Sequence, residues 1–354
     1  MKRSIFIISF FTFTVFFCNN VLFAQHSLVP EKGRYFITCF YNLENLFDTI
    51  DDLQKDDNEF LPNGKKMWTG SRYRTKINNI AKVLSKIDSV NMPVLIGVSE
   101  VENFNVLKDL INATPLKSYN YKIVHFDSPD PRGIDVALLY RADIFQLIKY
   151  SAVPVYYDSI YKRQKTRQIL YVKGIITGID TLHIFVNHWK SRAGGITATQ
   201  IKRIRYARVL KNTIDSIFNV VPDAKIISVG DYNDEPDDIS IKQHLKAFAP
   251  TNKPDAKSLY NLMIPLKQKD VGTYCFKGEW NLLDQIIVSG TLLDPDKKLY
   301  IDTENVKIFN PDWMTRIDKT TGKRISIPTY EGSTYFGGYS DHFPVYVKVW
   351  INNK

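Results

Sequence analysis

The sequence predicts an α/β chain of the α+β kind, with two β-sheets facing each other and helices on their outer sides. Three observations lead there. Apolar runs of strand length recur along the 354 residues, bounded by Gly, Asp, Asn or Pro. Aromatic residues reach 13%, with 20 Tyr and 21 Phe, a composition suited to pleated, half-buried surfaces. Two stretches carry a helical apolar period instead.

The first segment is expected to be removed. Lys2 and Arg3 precede a nearly continuous apolar run from Ile5 to Phe17, and Ala24-Gln25 offers a small residue at a cleavage point. Residues 1–24 therefore read as a secretory signal peptide, too short in its apolar part to span a bilayer. Lipidation at Cys18 is the weaker alternative, because Phe16 and Phe17 stand where small residues are usual. No second apolar span follows, so residues 25–354 are expected to form one exported, soluble catalytic domain, acting as a monomer. Without Lys2 and Arg3 the formal charge falls from +10 to +8. That excess suits a polyanionic substrate, and plain solubility explains it almost as well. Cys39 and Cys275 remain, either as buried thiols or as one disulfide. No CxxC motif is present, so zinc or dithiol chemistry has little support.

Strands are expected at Tyr35–Tyr41, Val94–Ser99, Tyr121–Phe126, Ile134–Tyr140, Ile169–Thr177, Leu182–Asn187, Lys225–Val229, Leu283–Ser289 and Phe343–Trp350. In Arg72–Val90, Ile77, Ile80, Leu84 and Ile87 recur at helical spacing. In Thr199–Asn219, Ile201, Ile204, Leu210, Ile214, Ile217 and Phe218 make an apolar face, and Lys202, Arg203, Arg205, Arg208 and Lys211 read as a solvated basic one. Asp48–Asn63, Pro250–Asp270 and Asn310–Pro328 read as loops, the last two long enough to serve binding.

The chemistry sits where apolar runs stop. Val229-Gly230-Asp231-Tyr232-Asn233 delivers a carboxylate and an amide to a sheet rim, and Ser340-Asp341-His342 brings an acid and a base to a similar rim. Such groups activate water beside a metal ion. Asn42 closes the first strand and reads, alone, as a turn residue. Glu100 ends another strand. Asn187-His188-Trp189-Lys190-Ser191-Arg192 offers several donors to phosphate oxygens. Asp135 and Asp284 are acids inside apolar runs, which want cationic partners. Arg132 is the candidate for Asp135, as an ion pair or as part of a site. His342 is the candidate for Asp284, whose charge would orient the imidazole and raise its pKa. His26, His125, His183 and His244 read as ordinary.

Taken in order, Asn42, Glu100, His188, Asp231-x-Asn233, Asp284 and Ser340-Asp341-His342 resemble the endonuclease/exonuclease/phosphatase superfamily, of the deoxyribonuclease I-like type. The resemblance runs over about residues 33–350. It implies a four-layer sandwich with two central, mostly antiparallel β-sheets flanked by helices, and divalent-metal hydrolysis of phosphoester bonds. By that resemblance Glu100 holds the metal with Asn42 near it, and Asp341 supports the metal or the leaving group. Asp231 orients or deprotonates the attacking water, and Asn233 fixes the phosphate or that carboxylate. His342, held by Asp284, binds the scissile phosphate or assists proton transfer. His188 stabilises the transition state or protonates the leaving oxygen. Arg132, Asn187, Lys190 and Arg192 are the candidate substrate-binding residues. Independently of the resemblance, carboxylate and amide oxygens favour Mg²⁺, or Mn²⁺ or Ca²⁺, over zinc. Residues 132–135 depart from the Tyr-containing segment of repair-type members, which argues against an abasic-site enzyme.

The expected function is a divalent-metal-dependent phosphodiesterase, an endonuclease-like enzyme on DNA or RNA. The alternative within the superfamily is a phosphatase or sphingomyelinase-like enzyme on small phosphoesters or lipid headgroups. A non-catalytic binding protein on the same scaffold is the rival from another class, and the complete acid and histidine set argues against it.

Overall fold

The computed structural model describes residues 34–156, 166–267 and 271–352; the signal-peptide and Cys18 expectations lie outside the described residues. Its first strand, β1 (Tyr35–Leu46), shows how the layers arise. Phe36 and Phe40 share one side of the strand, and Ile37, Cys39 and Tyr41 share the other. Both sides are buried, in two different cores.

Twelve further strands of the two large sheets follow. They are β2 (Leu95–Val101), β3 (Tyr121–His125), β4 (Asp135–Arg141), β5 (Phe145–Val153), β6 (Ile169–Ile176) and β7 (Asp180–His188). Then come β8 (Ile226–Asp231), β9 (Ala247–Phe248) and β10 (Leu259–Asn261). A hairpin of β11 (Tyr274–Phe276) and β12 (Glu279–Asn281) precedes β13 (Asp284–Ser289) and β14 (Leu299–Ile308). Two small hairpins, β15 (Thr315–Ile317) with β16 (Arg324–Ser326) and β17 (Tyr330–Glu331) with β18 (Thr334–Tyr335), lead to β19 (Val345–Ile351). The helices are α1 (Gly70–Lys86), α2 (Phe104–Asn112) and α3 (Ile196–Val220).

One sheet has six strands in the order β14-β19-β1-β2-β4-β3, and the other has seven in the order β5-β6-β7-β8-β13-β10-β9. Pairing is antiparallel except for β1 with β2, β7 with β8, and β9 with β10. The sheets face each other across a core that includes Phe40, Leu95, Leu138, Val186, Val229, Ile286 and Val347. They come close at Gly97, where a Cβ would lie 2.7 Å from Val229 Cγ2 of the opposite sheet. α1 and α2 cover the six-stranded sheet through Ile77, Ile80, Leu84, Val106 and Leu110. α3 covers the seven-stranded sheet through Tyr206, Ala207, Leu210, Ile214 and Phe218. The result is the expected four-layer sandwich.

Several local expectations are corrected. α3 does not bury Ile201, which is 65% exposed, and its Arg203 is not solvated but fully buried against Asp234, Nε to Oδ1 at 2.6 Å. The stretches around residues 250–270 and 310–328 are not plain loops, since they contain β10 and the β15–β16 hairpin. β5, β14 and α2 are additions to the expected elements. Cys39 and Cys275 are free thiols, and no disulfide joins them. Among the described residues no helix is long and apolar enough to cross a membrane.

Candidate active site

Strand register builds half of the site. His188 ends β7, Asp231 ends β8 and Asp284 opens β13; in the ladders His188 lies beside Asp231, and Asp231 beside Asp284. They continue the alternation of Val186, Val229 and Ile286, which all face the space between the sheets. All three side chains therefore reach one rim of the inter-sheet core.

The six-stranded sheet supplies the facing half. Asn42 follows Phe40 on the inter-sheet side of β1. Glu100 arrives by another route. Regular alternation would send it toward the helices with Ile96 and Val98. A bulge between Ser99 and Val101 turns it over, with φ +58°, a conformation few non-glycine residues adopt. Its Oε2 then accepts the Asn45 N–H at 3.0 Å, and its Oε1 lies 3.7 Å from His188 Nε2. The segment before β19 brings Asp341 and His342, and Ser340 ties that segment to β1 by donating to the Asn42 carbonyl at 2.7 Å.

The Asn42 amide bridges the halves. Its Nδ2 donates to Asp231 Oδ2 at 3.1 Å and to Glu100 Oε1 at 3.3 Å, while its Oδ1 accepts the Glu44 N–H at 2.9 Å. The amide thus presents its nitrogen, not its oxygen, to the carboxylates. Asn42, expected near the metal, is placed to orient Glu100 and Asp231. Asp231 Oδ1 accepts the Asn233 N–H at 2.9 Å, and Asn233, itself at φ +52°, donates through Nδ2 to the Trp189 carbonyl.

Two histidines in one cleft carry opposite charge states. His342 Nδ1 lies 2.7 Å from Asp284 Oδ2, and its ring stacks on Tyr274 with centroids 4.7 Å apart. Burial disfavours its imidazolium, but Asp284, Asp341 and Asp231 override that and hold the pKa well above the histidine norm. His188 is equally buried. There burial, then Arg167, Arg132, His342 and Lys190, push the pKa well below the norm, so the ring is neutral at pH 7. His342 is therefore the cationic group facing the cleft, and His188 the neutral one.

The carboxylates fit a divalent cation. Burial, with neighbouring carboxylates, raises Asp231 and Asp341 to about 7 each, although His342 opposes the shift. Crowded carboxyls held half-protonated near neutral pH are the state a hard cation relieves, since it takes ionised oxygen ligands. Asp231, Asp284 and His342 offer ligand atoms within 4.8 Å of one another, and Glu100 stands close enough to raise the pKa of both Asp231 and Asp341.

The expected substrate-binding residues divide. Lys190 and Arg132 stay at the cleft mouth; the Arg132 side chain is 49% exposed and leans on Asp130 at 3.5 Å. Burial, then Arg167, Arg132 and Lys202, lowers the Lys190 pKa. Asn187 is corrected. Next to His188 on a strand, it points the other way, donating to Ser228 Oγ and the Val229 carbonyl and accepting from Trp189 Nε1. Arg192 is corrected too. Its guanidinium is taken by Asp238 at 2.7 Å, Asn281 Oδ1 at 3.1 Å and the Asn233 carbonyl at 2.9 Å, so it braces the Asp231–Asn233 turn. The Arg132–Asp135 ion pair does not form. Asp135 instead meets His125 Nε2 at 3.0 Å and the Ser128 N–H at 2.9 Å. His125 is thus the partner that Asp135 takes in place of Arg132.

Comparison with known proteins follows from this geometry. The model of the "Endonuclease/Exonuclease/phosphatase family" matches residues 37–350. A sequence search of curated proteins finds no match. Among solved structures, the chain is similar to a family protein from Bacteroides thetaiotaomicron, at 15% identity and TM-score 0.53, covering 91% of this chain and 100% of that one. The human Nocturnin catalytic domain with bound sulfate aligns at 15% identity and TM-score 0.54, covering 90% and 95%. D. rerio TDP2 complexed with single-strand DNA product aligns at 13% identity and TM-score 0.52, covering 89% and 99%. At these identities the structures speak for the fold alone. With the family model covering nearly all described residues, the chain belongs to the endonuclease/exonuclease/phosphatase family.

Proposed function

We propose that the chain is an exported, divalent-cation-dependent phosphodiesterase acting on a nucleic-acid strand. The observation that carries the reaction class is that Glu100 and His342 act on the charge of both Asp231 and Asp341 at one rim, with His342 held by Asp284. Glu100 and Asp341 hold the cation, with Mg²⁺ or Mn²⁺ the best match to all-oxygen donors. Bound there, the cation supplies Lewis-acid polarisation of a phosphoryl oxygen.

The chain's own groups do the rest. Asp231, aimed by the Asn233 N–H and the Asn42 amide, accepts the proton of the attacking water. His342, locked by Asp284, faces the phosphoryl oxygens as an imidazolium and stabilises the charge that builds there. His188, neutral, offers Nε2 as a hydrogen-bond partner beside Glu100 and Asp231. Lys190 and Arg132 hold the flanking phosphate. Reading a strand rather than a small headgroup is supported by that basic mouth and by the β11–β12 hairpin. Tyr274, stacked on His342, is followed on the same face by Phe276, 54% exposed with Lys277 over its ring, a surface on which a base can stack.

A salt series tests the substrate. The catalytically dead Glu100→Gln protein, titrated with a labelled single-stranded oligonucleotide at fixed Mg²⁺, is expected to bind more weakly in direct proportion on log–log axes. Each phosphate contact contributes about 0.7 to the slope, so Lys190→Ala and Arg132→Ala each flatten it by about that amount. No oligonucleotide binding at low salt, alongside rapid wild-type turnover of a lipid or sugar phosphate, contradicts the strand and favours the small-phosphoester alternative.

A further inference from the structure

Beside the site lies a buried ion pair that the proposed reaction does not use. Lys76 lies on the inner face of α1, among Ile77, Ile80 and Ala81, and is 1% exposed. Its Nζ donates to Thr329 Oγ1 and to the Tyr339 carbonyl at 2.9 Å, and stands 3.6 Å from Glu44 Oε2. Glu44 sits in the irregular end of β1 at φ +50° and accepts the N–H groups of Thr329 and Tyr330 at 2.6 and 3.0 Å. One turn along α1, Asn79 Nδ2 donates to the carbonyls of Gly337 and Gly338, both at 2.9 Å.

These bonds converge on the two segments that carry the site. Glu44 provides the N–H that fixes the Asn42 oxygen, and so the direction in which the Asn42 nitrogen faces Glu100 and Asp231. Tyr339, held by Lys76, precedes Ser340. Ser340 Oγ bonds the Asn42 carbonyl and accepts the His342 N–H at 3.1 Å. The pair thus grips both the irregular end of β1 and the segment leading to Asp341 and His342 through charged groups.

Stability alone gives little reason for it. A buried ion pair loses on desolvation about what it gains by attraction, and an apolar replacement of similar volume is often neutral or stabilising. What an apolar side chain lacks is direction. We infer that Lys76, with Glu44, is a positioning residue that sets the separation between the Asn42–Glu100 strand ends and the Asp341–His342 segment, and thereby the affinity of the site for its cation. The inference rests on the metal-dependent reading.

The test is calorimetric titration of the metal-free full chain with Mn²⁺, alongside steady-state kinetics on bis-p-nitrophenyl phosphate and thermal melts. Lys76→Met leaves the buried Glu44 carboxylate without its cation, so it is expected to fold but to melt lower than wild type. It should bind Mn²⁺ more weakly and turn over more slowly by roughly 10- to 100-fold, as is typical of groups that orient metal ligands, with KM little changed. Lys76→Arg, which restores the charge, is expected to recover part of the Mn²⁺ affinity. If Lys76→Met does not fold, Thr329→Val and Glu44→Gln carry the same readings, each removing one partner of the ammonium. A folded variant with wild-type Mn²⁺ affinity and wild-type turnover overturns the positioning role. A wild-type protein that binds no Mn²⁺ overturns the metal-dependent reading instead, so the two failures are told apart.

Discussion

Glu100→Gln is expected to leave a folded protein without divalent-dependent turnover. The substitution keeps shape and keeps one oxygen to accept the Asn45 N–H, so the bulge at φ +58° retains its main local bond. It removes a negative charge that no neighbour can replace, because Asp231 and Asp341 are themselves held at about 7 by burial and by nearby carboxylates, Asp284 for the first and Glu44 for the second. Losing several kcal/mol of charge stabilisation corresponds to a fall of about 10³-fold or more in kcat. The check pairs initial rates with a Mn²⁺ titration and a melting curve. Wild-type turnover from a folded Glu100→Gln protein refutes the ligand role.

His342→Ala is expected to lower kcat by on the order of 10²-fold or more, the usual cost of removing a positioned charge-stabilising group. Asp284→Asn separates charge from presence. In the native site burial opposes the imidazolium and the Asp284 carboxylate, 2.7 Å away, outweighs it. Without that charge burial prevails and the ring loses its proton at lower pH. The alkaline limb of the kcat/KM profile should therefore move toward neutral pH in Asp284→Asn. The acid limb works in the other direction. Asp231 must be ionised to accept a proton, and its pKa stands at about 7, so the rate rises with pH through that region, and bound cation moves the rise to lower pH. An Asp284→Asn profile that superimposes on wild type would show that the pair has no such role. Because His188 is held neutral, His188→Ala should lower the rate without moving the alkaline limb.

What could be read from residues alone followed simple rules. The ends of β7 and β8 and the start of β13 were legible because an apolar run meets a polar residue there, whereas β1 runs past Asn42 to Leu46. The Asp284–His342 contact was legible because a buried acid requires a partner. The same rules failed where neighbours in sequence part company in space. Asn187 and His188 look equivalent on paper, yet a strand sends them to opposite faces. Arg192 looks like a phosphate ligand until Asp238, far along the chain, folds against it. Glu100 reaches the rim only through a bulge, and no residue type in Ser99-Glu100-Val101 announces one. β5 and β14 escaped notice because their exposed faces carry Lys, Tyr, Asp and Glu, which dilute the period-two signal. Lys76 was one of several basic residues on a helix, and only its burial against Glu44 and Thr329 distinguishes it.

The most direct test of the account is hydrolysis of bis-p-nitrophenyl phosphate and of plasmid DNA by the wild-type protein, first with Mg²⁺, then in excess chelator, then with Mg²⁺ or Mn²⁺ restored. The account predicts turnover of both substrates with the cation, none in chelator, and recovery on restoration. Undiminished hydrolysis in excess chelator would contradict it, because the account assigns the Glu100 and Asp341 carboxylates to a cation that the reaction needs.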